Sequence, residues 1–164
     1  MPDREIQAAI DSYLRARAAL LELGRKYPHR FSGNDNIIGR FGEFVALQFL
    51  ERLGQKPEKV ISSSNPGFDL IEGSLRTQVK VITVENQKGR TVRLKEPWDQ
   101  LLLIQLGPDY DPIRVGLLTK SQFTQAKMDG HLRSSTPFVA LRMLGPKGLI
   151  SKYGRVYQQH EIAA

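Results

Sequence analysis

Cysteine is missing from all 164 residues, which removes disulfides, thiolate zinc clusters and thiol redox chemistry. Histidine is almost as scarce: His29, His131 and His160 are scattered and give no metal-ligand spacing. No apolar run approaches the roughly 20 residues that a membrane-spanning helix needs. The opening MPDREIQAAI is charged where a secretory leader would carry its apolar stretch. A bacterial cytoplasm, with no membrane partner, is the expected compartment. Glycine-rich phosphate loops, nucleophile elbows and internal repeats are also missing. Acidic residues are in deficit, 17 against 24 Lys and Arg, for a net charge of +7 and a pI near 9.8. That balance favours a polyanionic partner, and the length suits one domain with a proper core.

What the chain does contain is a hairpin signature with unusual polar decoration. Two β-rich runs, 65–71 and 76–84, flank Glu72-Gly73-Ser74-Leu75, and Gly-Ser is a two-residue hairpin turn. Counting outward in antiparallel register sets Asp69 opposite Gln78, and directly opposed residues share a sheet face. Alternation then puts Lys80 on the face of Gln78 and turns Val79 and Val81 to the other. An acid, an amide and an ammonium are gathered, although any half-exposed strand also shows such alternation.

Upstream, residues 36–53 have helical periodicity, an Asn/Asp-rich start at Asn34-Asp35-Asn36 suited to capping, and Gly54 just past the end. Glu43 falls on the same side as Gly39, Ala46, Leu47 and Leu50, a face that should be buried. An ionised carboxylate there must find a cation or shift its pKa. Lys80 or a metal ion would serve, and a purely structural salt bridge is the other reading. Gly39 and Gly42, each costing about 1 kcal/mol in a helix interior, signal close approach of another element or a ligand.

These residue types suit phosphodiester cleavage. The reaction needs a hard cation to stabilise charge on the phosphoryl oxygens, and Mg²⁺ prefers one or two carboxylates plus water and substrate phosphate. Glu43 and Asp69 supply carboxylates and Gln78 a neutral carbonyl oxygen, while Lys80 either orients and, as the neutral amine, helps deprotonate the attacking water or neutralises the transition state as a fixed ammonium. A lysine beside a cation should have its pKa pushed down.

With these residues in view, the chain resembles the PD-(D/E)XK nuclease superfamily in its QxK variant, over roughly residues 36–119. The resemblance implies a restriction-endonuclease-like α/β fold: a helix, a three-stranded meander, a second helix and further strands. Its mixed central sheet is flanked by helices, here with an added N-terminal helix. It implies catalytic roles for Glu43, Asp69, Gln78 and Lys80, with Glu43, Asp69 and Gln78 as ligands of Mg²⁺, for which Mn²⁺ would substitute. It further implies a DNA endonuclease, restriction-like or structure-selective, that leaves a 5′-phosphate. Two departures are plain: Pro66 lies three residues before Asp69 and does not adjoin it, and Gln78 removes one negative charge. That charge loss leaves open an inactive nucleic-acid-binding or assembly subunit. A basic α/β protein of other purpose, with Asp69 and Lys80 only a surface ion pair, is the third reading.

Basic side chains cluster at 25–30, 88–95, 131–133 and 147–155. Lys88, Arg90, Arg93 and Lys95 are the expected phosphate contacts, because they follow the Lys80 strand and alternate as a second hairpin arm would; Arg133, beside Ser134-Ser135-Thr136, joins them. Double-stranded DNA is the expected partner, and cutting two strands calls for a homodimer. Residues 1–30 form an N-terminal unit, an amphipathic helix over 3–23 closed by Gly24 that packs on the core or dimerises, and 31–164 the nuclease-like domain. Further strands are expected at 59–63, 90–94, 100–106, 112–118 and 138–144, with short helices at 120–127 and 149–153.

Overall fold

The computed structural model describes residues 2–31, 36–61, 67–83, 91–132 and 137–163. Helix α1 spans Pro2–Lys26 and runs through Gly24. A Cβ at Gly24 would crowd the Phe31 carbonyl, so this glycine admits the chain that folds back beneath the helix and does not end it. Helix α2, Ile37–Arg52, is capped as the sequence predicts: the Asn36 side chain accepts from the Gly39 N–H at 3.0 Å.

The sheet strands are β1 (Glu58–Lys59), β2 (Leu70–Glu72), β3 (Leu75–Ile82), β5 (Gln100–Leu106), β6 (Pro112–Thr119) and β8 (Arg155–Gln158), hydrogen-bonded in that order. β3 and β5 are parallel and every other neighbouring pair is antiparallel, so the sheet is mixed. β4 (Thr91–Arg93) stands outside it and pairs with β7 (Phe138–Ala140); it is not the hairpin partner of the Lys80 strand. The expected meander follows α2, but the next described elements are β4, β5 and β6. Helix α3 (Lys120–Met128) comes only after them, opened by a Thr119–Gln122 capping box. A 3₁₀ turn (Leu141–Leu144) takes over where a longer late strand is expected. The chain ends with α4 (Leu149–Tyr153), β8 and α5 (Gln159–Ala163); the last two have no counterpart in the sequence reading.

β5 is buried along its whole length between β3 and β6, as its uninterrupted apolar run requires. Alternation divides the core into two layers. Val79, Leu102, Ile104 and Leu106 face α2, while Ile82, Leu101 and Leu103 face Leu94, Trp98 and Phe123. A Cβ on Gly42 would overlap the Val81 Cγ2 methyl, so this glycine lets α2 lie directly on β3. Gly39 meets only its own capping residue, Asn36. No helix among the described residues is long and apolar enough to cross a membrane.

Candidate active site

The β2–β3 hairpin keeps the expected register from Glu72↔Leu75 to Leu70↔Thr77. It slips at Asp69, whose N–H donates to the Thr77 carbonyl at 2.9 Å. Asp69 and Leu70 thus share one partner, a β-bulge, the device by which strands re-aim a side chain. The Asp69 carboxylate accepts the Val79 backbone N–H at 2.7 Å. Its pKa is raised: burial outweighs the opposing pull of the Val79 N–H and the Lys80 and Lys59 ammonium groups.

Lys80 is half-buried and its pKa is lowered, first by burial and then by the charge of Lys95, with Asp69 opposing. The direction matches the expectation for this lysine, and the cause is desolvation.

The partner of Glu43 is Lys59, which forms an ion pair with it. Lys59 on β1 faces Leu70, so it shares the α2 side of the sheet. Burial lowers its pKa to about 8, with Asp69 opposing and Arg40 adding to the fall. One ammonium therefore touches the Glu43 carboxylate and acts electrostatically on Asp69. Lys80, which shares a sheet face with Gln78 and Ile82, comes from the layer opposite α2. Lys59 carries no periodic signal, because β1 has only two residues.

Gln78 is 1% exposed. Its amide nitrogen donates to the carbonyls of Gly67 and, at 3.1 Å, Lys95, and its oxygen accepts the Lys95 N–H at 3.3 Å. This amide ties the chain before the bulge to the segment after β4. Lys95 is thereby held close enough to influence Lys80. Arg93 is exposed on β4. Lys88, Arg90 and Arg133 lie outside the described residues, as do Asn34, Asp35, Pro66 and residues 134–136.

A second polar region takes shape only in three dimensions. His131, Arg142 and Lys147 line a cleft of about 690 Å³ floored by Leu132, Met143, Pro146 and Leu149. Lys152 sits 2.8 Å from His131 Nε2. The Arg142 guanidinium lies over Phe138, the β7 residue paired with Arg93, so two basic clusters distant in sequence adjoin one ribbon.

Among the described residues no group of three or more His, Cys, Asp or Glu side chains converges as a metal cage. Lys59 pairs with Glu43 and acts on Asp69 only electrostatically, so these two are the carboxylates that one lysine influences. No family model matches the chain, and no curated protein matches it.

Proposed function

We propose that this chain is a metal-dependent nucleic-acid phosphodiesterase, a DNA endonuclease of restriction-like or structure-selective type centred on Asp69. The observation that carries the reading is the Asp69 carboxylate itself. It is set on a β-bulge and fixed by a backbone N–H, yet left with a raised pKa although two lysines act on it. A divalent cation would relieve that residual cost, and Mg²⁺ asks for only one or two carboxylates.

Asp69 would hold the ion, joined by Glu43 once Lys59 withdraws; Gln78, its oxygen already engaged by Lys95, is the weakest of the three expected ligands. Bound there, Mg²⁺ or Mn²⁺ supplies stabilisation of charge on the phosphoryl oxygens. Lys80, biased toward its neutral form by burial, orients the attacking water and takes its proton. Lys95 and Arg93 draw phosphate toward the site, and the basic cleft beside the β4–β7 ribbon extends that attraction. The meander packed against α2 agrees with a restriction-endonuclease-like core; the late position of α3 departs from it.

A second reading is favoured by the Lys59–Glu43 pair and the saturated Gln78 amide: a nucleic-acid-binding subunit without turnover. Supercoiled plasmid incubated with Mg²⁺, Mn²⁺ or chelator separates the two. The nuclease reading expects nicking or linearisation only with metal, lost in Asp69→Asn while DNA affinity persists. Cleavage surviving both Asp69→Asn and Lys80→Ala would refute the site. Salt-dependent binding with no cleavage at any metal concentration would select the second reading.

A further inference from the structure

Helix α1 is 25 residues long, about 37 Å at 1.5 Å per residue. Its two halves live differently. Toward its C-terminal end, Leu20 and Leu23 meet Tyr27, Phe31, Phe41 and Phe44 around a groove of about 440 Å³. In the other half every described side chain from 4 to 16 is exposed, including Ile6 at 57%, Tyr13 at 62% and Leu14 at 53%. A helix half without packing is marginal in water, since tertiary contact supplies most helical stability.

The sequence indicates what covers it. Positions 6, 10, 13, 17, 20 and 24 hold Ile, Ile, Tyr, Arg, Leu and Gly, alternating steps of four and three as in a coiled-coil seam. Residues 3–14 contain three acids and one base, whereas 15–26 contain four bases and one acid. A parallel pairing of two such helices would set like charges together. An antiparallel pairing sets acidic half against basic half and forms a closed two-fold contact.

We infer that α1 is a self-association element: the seam that runs through the exposed Ile6 and Tyr13 docks antiparallel on α1 of a second copy, with the two-fold axis near Tyr13 and with Leu14 flanking it. This does not depend on the nuclease reading. It gives the dimer expected for two-strand cutting a specific surface, and the two ideas fail separately, because one is read by mass and the other by cleavage.

Sedimentation equilibrium at tens of micromolar should give twice the chain mass at low salt, weakening as salt rises. Ile6→Glu with Tyr13→Glu should halve the mass and leave thermal unfolding of the sheet unchanged, since these side chains lie outside the core. The cysteine-free background permits disulfide trapping, which demands Cβ atoms about 4 Å apart. A single cysteine at position 13 or 14 should cross-link to its own copy, and one at position 6 should not. Self-cross-linking at position 6 would show a parallel pair and overturn the proposal. So would a monomeric wild-type chain, including one that instead binds anionic vesicles, which would assign the seam to a lipid surface.

Discussion

Replacing Gln78 by Glu separates two roles that the sequence merges. The substitution places an acid where the chain has an amide, so if residue 78 is chiefly a metal ligand, Gln78→Glu should fold normally and bind Mg²⁺ more tightly. The hydrogen bonds say otherwise. The amide nitrogen serves the Gly67 and Lys95 carbonyls from a fully buried position. A carboxylate cannot donate to either, so two carbonyls lose their donor and a charge faces their oxygens. Each orphaned polar group costs about 1–3 kcal/mol, and an uncompensated buried charge adds to this, for a loss of about 4 kcal/mol. In a chain of this size that lowers Tm by roughly 8–16 °C. The loss should deepen as pH rises, because the folded-state pKa of the new carboxyl is raised and its protonated form can still donate once. Differential scanning calorimetry between pH 5 and 8, with and without Mg²⁺, measures this. Unchanged Tm together with tighter Mg²⁺ binding would refute the clamp assignment.

Gly42→Ala gains about 1 kcal/mol of helix propensity but forces a methyl into Val81. Overpacking costs about 1–3 kcal/mol, so urea denaturation should show a net loss of up to about 2 kcal/mol, and Glu43 should shift enough to reduce any cleavage. Asp99 is held near pKa 2, first by its side-chain bond to Arg76 and then by the Arg76 N–H, in a bidentate pair at 2.7 and 2.8 Å. A lowered carboxylate stabilises the fold above its unfolded pKa and loses that contribution as pH falls from about 4 toward 2. Asp99→Asn should flatten this part of the acid unfolding curve, and an unchanged acid midpoint would show that the pair contributes nothing.

Local rules made much of the architecture readable in advance. Asn36 and the apolar face behind it fixed α2, Gly73-Ser74 fixed the hairpin turn and its first three pairings, and the short helix expected at 120–127 is α3. The run at 100–106 announced a central strand because only burial on both faces tolerates so many consecutive leucines and isoleucines. Each of these is a short-range preference repeated over enough residues to outweigh competitors. Strand β8 escaped notice because four residues with mixed burial carry no period.

Tertiary structure alone decided who meets whom at the site. The slip at Asp69 depends on Val79 offering its N–H across the hairpin, and Glu43 found Lys59, not Lys80, because strand alternation turned Lys80 to the layer opposite α2. Gln78 reads as a ligand in one dimension and becomes a clamp once Gly67 and Lys95 converge on it. Likewise, β4 chose β7 over β3, bringing Arg93 beside Arg142 from nearly fifty residues away. Sequence determines which segments are helix or strand and which faces are apolar, since those follow from nearest-neighbour sterics and solvation. Electrostatic partners follow from distances between segments, and these are set only when the sheet is assembled and packed.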